Sequence, residues 1–309
     1  MSKQHLIVIG NGMVGHHFLE QLAESGKAET LDVTVLGEER NIAYDRVHLS
    51  EYFQGRTADD LAFSTQEQYA DWGFDLRLGT RATAIDRQAQ TVTLDSGEVL
   101  AYDRIVLATG SYPFVPPIPG NDREDCLVYR TIDDLDAIRE AASRSNTGVV
   151  VGGGLLGLEA ANALRELELD TAVVEFAPRL MPVQVDEQGG SLLKEKIEDL
   201  GVQVLTGRAT QRIEDGGGAR HQMVFQDDRL LETDMIVFSA GIRPRDELAR
   251  DAGLEMGERA GVVINDHCQT SDPNILAIGE VALWNESIFG LVGPGYQMAK
   301  AALDTLTEG

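Results

Sequence analysis

The pattern of apolar positions along the chain falls into two similar halves, each opening on a short strand-like run. Leu6 to Ile9 (LIVI) is wholly apolar and rich in β-branched residues, the pattern of a strand buried on both faces of a parallel sheet. Glycine follows at once, and Val14, Phe18, Leu19 and Leu22 then recur at helical spacing. Asp32 to Leu36 (DVTVL) predicts a second strand. Residues 76–107 alternate in short strand-like pieces, with Gln88 to Gln90 and Asp95 to Gly97 as turn signals, and end in Arg104 to Leu107 (RIVL). This predicts an inserted β-meander that returns to the main sheet. Asp133 to Ala142 reads as a helix, and Val149 to Val151 then restart the series. Leu158, Ala161 and Leu164 mark the second copy of the helix and Thr171 to Val174 the strand after it. The repetition predicts two α/β units built on one plan.

The glycines say what the plan is for. Gly10, Gly12 and Gly15 spell G-x-G-x-x-G between the first strand and helix, and Gly152, Gly154 and Gly157 repeat it. In such a turn the first glycine permits the bend, the second lets backbone approach a pyrophosphate, and the third lets helix pack on strand. The helix N-terminus, with Leu155 first in the second copy, presents free N–H groups and partial positive charge to the anion. A carboxylate is expected at the end of the next strand, about 20 residues on, against the adenosine ribose hydroxyls. Glu38 is the candidate in the first copy, with Glu39 as competitor, and Glu175 is the candidate in the second. Arg179, after Pro178, argues the other way, since a nearby arginine is how such folds accept a 2′-phosphate. Ala108-Thr109-Gly110 and Phe238 to Gly241 (FSAG) occupy matching places in the two copies. The reading is two Rossmann-like, three-layer dinucleotide-binding domains.

Composition narrows this further. At 309 residues and 43% hydrophobic the chain has material for two sizeable cores. Pro116, Pro117, Pro119 and Gly120 suit neither helix interior nor central strand and mark a crossing, with Arg243 and Pro244 marking the return. The expected domains are therefore 1–119 with 244–309, and 120–243 inserted between them. A net charge of −25 disfavours nucleic acid and anionic lipid as partners. It fits solubility, a salt-adapted source or a docking face for a basic partner. No run reaches the length of a membrane span, and a first strand starting so early leaves no room for a signal peptide, so a cytoplasmic protein is expected. Cys126 and Cys268 are far apart and form no C-x-x-C pair, which predicts ordinary thiols and no metal site.

Ala43 to Phe53 (AYDRVHLSEYF), following the first G-x-G-x-x-G, resembles the flavin- and pyridine-nucleotide-dependent reductases, and among them the amino-terminal reductase portion of assimilatory nitrite reductase large subunits. Ferredoxin and rubredoxin reductases are similar but carry a lysine after the Leu-Ser pair, where this chain has Glu51. The resemblance implies a glutathione-reductase-like fold with FAD on the discontinuous domain and NADH on the inserted one, and Glu175 favours NADH over NADPH. It implies that flavin N5 is the reactive centre, with no catalytic side chain and with Glu159 near the nicotinamide. Arg46 and Ser50 would meet the flavin nucleotide, the backbone at Ala82 the adenine, and Thr109, Gly110 and Arg130 the flavin surroundings. Glu280, in TSDPNILAIGEVA, would bind the ribityl chain, and Gly241 would border the nicotinamide nucleotide. Gly293 to Ala299 (GPGYQMA) would open a helix aimed at the flavin pyrimidine edge. His48 reads as a structural residue. The electron acceptor would be an iron–sulfur and sirohaem module or a small carrier such as ferredoxin or rubredoxin. No cysteine lies in the Ala43 to Phe53 loop, which disfavours a disulfide reductase. A non-catalytic nucleotide-binding redox sensor is the alternative from another class.

Overall fold

The computed structural model describes residues 3–308, and its chain divides into two compact units. One comprises Met1–Asp45, Ala58–Tyr112 and Arg243–Gly309; the other comprises Arg46–Thr57 and Pro113–Ile242.

In the first unit five parallel strands lie in the order Ile275–Ala277, Arg104–Leu107, Gln4–Ile9, Leu31–Gly37, Phe74–Leu78. The apolar run at the amino terminus is the central strand: Leu6, Ile7 and Val8 are fully buried, as a strand covered on both faces requires. The helix Met13–Glu24 covers one side with Phe18, Leu19 and Leu22. The antiparallel ribbon Ala82–Asp86, Thr91–Leu94, Val99–Ala101 contributes Ile85, Val92 and Leu94 to the same core. The meander therefore begins later than its pattern suggested. Residues 74–78 belong to the main sheet, where Val33, Val35 and Gly37 pair with Phe74, Leu76 and Leu78.

The second unit repeats the arrangement. Its parallel strands run Gln203–Thr206, Asp170–Glu175, Thr147–Val151, Met235–Phe238, Cys126–Val128. Its antiparallel ribbon Thr210–Asp215, His221–Phe225, Leu230–Thr233 sends Ile213, Met223 and Phe225 into one cluster with Val149, Val151 and Phe238. The helix Leu155–Glu166 buries Ala160, Ala161, Ala163 and Leu164. Its small side chains suit close packing on the sheet.

The units differ from the sequence boundaries in one place of consequence. Residues 46–57, expected with the first domain, belong to the second unit. Side chains hold them there. The Tyr52 hydroxyl donates to Asp136 Oδ1 at 2.6 Å, and Arg139 donates to the Tyr52 carbonyl at 2.8 Å. The Arg139 guanidinium also lies 4.4 Å from the Tyr52 ring centroid, within cation–π range. Among the described residues no helix is long and apolar enough to cross a membrane.

Candidate functional site

Both glycine turns have the same three-part construction. Gly10 and Gly152 have φ of +114° and +122°, and a Cβ at either would lie 2.1 or 2.2 Å from the carbonyl oxygen of Ala108 or Ser239. A Cβ at Gly15 or Gly157 would lie 2.3 or 2.0 Å from the carbonyl of Gly10 or Gly152. These four positions admit no side chain. The middle glycines are the opposite case, since a Cβ at Gly12 or Gly154 meets nothing within 4 Å. Absence of a side chain there leaves open space in front of a helix.

That space is electrostatically prepared. Gly12 and Gly154 are the N-caps of Met13–Glu24 and Leu155–Glu166, neither helix has a capping side chain, and neither carries an acid in its first turn. The leading N–H groups are thus left to an outside acceptor, and an anion suits them. Leu155, 47% exposed, begins the second helix, whose leading N–H groups face the open space at Gly154. Two such cradles fit two pyrophosphates.

The acids at the strand ends are held differently. Strand Leu31–Gly37 runs past the expected end, so Glu38 follows it directly. Its half-exposed carboxylate pairs with Arg245. Glu39 instead accepts from the Tyr44 hydroxyl at 2.6 Å. Glu175 is the last residue of its strand, and its two oxygens accept the N–H groups of Gly153 and Ala177 at 2.5 and 2.6 Å. Arg179 donates to the carbonyls of Val185 and Pro182 at 3.2 and 3.1 Å. Its guanidinium is committed to its own loop.

Around Thr109 the first unit shows a contact that the sequence did not suggest. Thr109 Oγ1 donates to the Arg245 carbonyl at 2.7 Å, and Arg245 N–H donates to the Gly110 carbonyl at 2.9 Å. Arg245 thus ties Thr109-Gly110 to Glu38. Its nearness to the expected crossing at Arg243-Pro244 was the one signal. Ser111 Oγ donates to Glu280 Oε2 at 2.6 Å, which fixes the carboxylate that follows the strand Ile275–Ala277. Gly279 and Gly295 both close on Val14 of the first helix, a Cβ at Gly295 lying 2.5 Å from Val14 Cγ2. Glu280 and the start of helix Val292–Glu308 are therefore gathered at the amino-terminal turn of Met13–Glu24. Ala82 opens its ribbon strand opposite Leu94, beside a register shift.

In the second unit Arg46 donates to the carbonyl of Arg130 at 3.1 Å, and Ser50 lies on the 3₁₀ turn Leu49–Gln54. Gly241, with φ of +108°, accepts the Phe114 N–H at 2.8 Å. The helix Leu155–Glu166 packs against that turn and carries Glu159. Glu159 Oε2 is buried without a hydrogen-bond partner, as is the Tyr129 hydroxyl. Burial pushes the Glu159 carboxyl above its ordinary value of 4.5, and His48 opposes this more weakly. Burial also raises Tyr129, with a further push from Glu159. A carboxyl raised in the folded state holds its proton more tightly than in the unfolded chain. Glu159 therefore costs stability as pH climbs from about 4.5 through its raised value. Glu159→Gln removes that cost, so without nucleotide its melting temperature should exceed the parent's at pH 7 to 8 and converge with it below pH 4. Parallel melting curves across that range would contradict the assignment.

The thiols stand apart from all of this. Cys126 is pushed up to about 11 and Cys268 to about 12, both chiefly by burial. Neither has the lowered value of a reactive thiolate.

Two parallel-sheet units, each with an open, uncapped glycine cradle, define a protein built for two dinucleotides. The chain belongs to the pyridine nucleotide-disulphide oxidoreductase family, whose profile matches residues 4–305. It is 53% identical over 305 residues to the nitrite reductase (NADH) large subunit of Escherichia coli K12, covering 98% of this chain and 36% of that one. It is 31% identical over 280 residues to the ferredoxin–NAD(+) reductase component of the biphenyl dioxygenase system of Paraburkholderia xenovorans LB400, covering 90% and 67%. The solved covalent putidaredoxin reductase–putidaredoxin complex superposes with a TM-score of 0.90 at 28% identity, covering 99% of this chain and 76% of that one. The chain spans about a third of the length of the nitrite reductase relatives it matches.

Proposed function

We propose that this chain is the NADH-oxidising flavoprotein portion of an assimilatory nitrite reductase large subunit, working in the cytoplasm and handing electrons to an iron–sulfur and sirohaem module. The two matched glycine cradles carry the reading, and the high identity to the E. coli subunit chooses the branch. FAD, when bound, supplies a ring that accepts hydride from nicotinamide and releases electrons onward; that chemistry belongs to the cofactor.

The protein's part is to bind and orient. In the first unit Gly10, Gly12 and Gly15 with the uncapped helix behind them would hold the FAD pyrophosphate, with Glu38 on the ribose and the backbone at Ala82 on the adenine. Thr109, Gly110 and the Ser111-fixed Glu280 would hold the flavin half. Arg46, Ser50 and Arg130, expected near the flavin, belong to the second unit. In the second unit Gly152, Gly154, Leu155 and Gly157 would hold the NADH pyrophosphate, Glu175 the ribose, and Gly241 and Glu159 the nicotinamide end. Burial, which raises the Glu159 carboxyl above its ordinary range, favours its neutral form there.

The likeness to a ferredoxin–NAD(+) reductase component over two thirds of its length favours a second reading, a reductase for a separate small electron carrier. A non-catalytic sensor is the third. The purified protein should be yellow, and NADH added without oxygen should bleach the flavin band; no bleaching would sink both reductase readings and leave the sensor. NADH-driven reduction of an artificial dye should survive Cys126→Ser and Cys268→Ser, since neither thiol has a reactive character. Loss of dye reduction with FAD still bound would restore a thiol to the electron path. Addition of the nitrite reductase relatives' remaining modules, compared with added ferredoxin or rubredoxin, separates the two acceptors.

A further inference from the structure

Asn11 sits between the first two glycines of the amino-terminal turn, and its side chain is held from behind. The Tyr69 hydroxyl donates to Asn11 Oδ1 at 2.7 Å. Having spent its one proton there, that hydroxyl must accept from its other neighbour, so His16 Nδ1, at 2.8 Å, carries the proton. His16 is clamped in place. It is 3% exposed, with the Phe63 ring stacked 5.6 Å away at an interplanar angle of 3° and Trp72 at 6.0 Å. Tyr69 is fully buried. Burial lowers the His16 pKa, which keeps the ring neutral with its single N–H on the relay.

The consequence falls on the other end of the Asn11 amide. With Oδ1 taken by Tyr69, Nδ2 lies on the opposite side of the amide. That nitrogen is buried and has no hydrogen-bond partner. A buried amide N–H left unmade is costly, and a fold that also builds a two-residue relay to hold it so implies an acceptor from outside the chain. Its position says which part of a ligand. A Cβ at Gly37 would lie 3.3 Å from Asn11 Cβ, so Asn11 stands beside the end of the strand that leads directly into Glu38. In a dinucleotide fold that strand end faces the adenosine side of the nucleotide.

We propose that Asn11 is a specificity-determining residue of the first dinucleotide site, its side-chain amide N–H donating to an oxygen on the adenosine side of the bound nucleotide. Tyr69 and His16 are its positioning residues. The inference rests on the reading that this unit binds FAD, and it adds a side-chain donor to a cradle otherwise made of backbone.

The test titrates FAD, ADP and FMN into the full chain freed of nucleotide, for the parent, Asn11→Ala and Tyr69→Phe. Asn11→Ala should weaken FAD and ADP alike by about tenfold, the worth of one hydrogen bond to a charged or well-oriented acceptor. FMN, which lacks the adenosine side, should bind as to the parent. Tyr69→Phe should weaken FAD and ADP in the same direction, because it frees the amide to turn, and Asn11→Ala should keep the parent's circular dichroism when no nucleotide is present. Unchanged affinity of Asn11→Ala for FAD and ADP would overturn the proposal, as would an equal loss for FMN, which would mean general loosening. A parent that binds neither FAD nor ADP would instead remove the functional reading itself.

Discussion

Gly12→Arg should yield a folded, colourless protein. The backbone at Gly12 is extended, with φ of −89° and ψ of −169°, a conformation that any residue adopts. A Cβ there meets nothing within 4 Å, so the chain itself gives no reason for glycine. The reason is external: a side chain at this point occupies the space before the uncapped helix, where the pyrophosphate would sit. Arginine's positive charge does not compensate, because its volume displaces the anion from the N–H groups that would bind it. The purified variant should carry almost no flavin and keep the parent's circular dichroism. Gly154→Arg supplies the matched control, since that glycine has the same extended backbone and the same open space in the second unit. It should retain FAD and lose NADH-driven bleaching. Gly10→Ala should behave unlike either, failing to fold, because a positive φ and an oxygen 2.1 Å from the new carbon leave it no room. Full FAD content in Gly12→Arg would move the pyrophosphate elsewhere.

What the sequence made legible follows from how local each signal is. The two central strands are continuous apolar runs rich in β-branched residues, and the turns after them need glycine for steric reasons confined to a few residues, so both are legible in the sequence. Glu175 was readable too, because a strand end is a local feature. The membership of residues 46–57 was not. It depends on Tyr52 meeting Asp136 and Arg139, residues far along the chain whose aromatic and charged types suit a loop equally well. Arg245 escaped for a related reason: two of its three contacts use its backbone, which no residue type advertises. The relay behind Asn11 was hidden differently. His16 and Tyr69 fall at positions where a helix buries one face, and their apolar bodies account for that burial before their polar atoms are considered.

NADH should exceed NADPH in kcat/KM, and replacing Glu175 should shrink the ratio by tenfold or more. The carboxylate closes the strand Asp170–Glu175 and is fixed at both oxygens by backbone N–H groups, one of them belonging to Gly153 inside the cradle. It is therefore anchored beside the phosphate-binding turn, where a ribose 2′-hydroxyl can donate to it and a 2′-phosphate meets a like charge. At about 4 Å and an effective dielectric near 20, two unit charges repel by roughly 4 kcal/mol before screening reduces it, and screening does not change the sign. Arg179 is the residue that could reverse the preference, but its guanidinium serves the carbonyls of Pro182 and Val185. To reach a 2′-phosphate it would have to leave both. Glu175→Ala removes the charge and also the acceptor for Gly153, so NADPH use should rise while NADH use falls. Glu175→Gln removes the charge and keeps one of the two acceptors; its gain with NADPH should come with less loss of NADH activity than in Glu175→Ala. The comparison of the two variants separates electrostatic rejection from support of the turn. A parent that already prefers NADPH, or a ratio that neither substitution moves, would show that Glu175 braces the loop without reading the ribose.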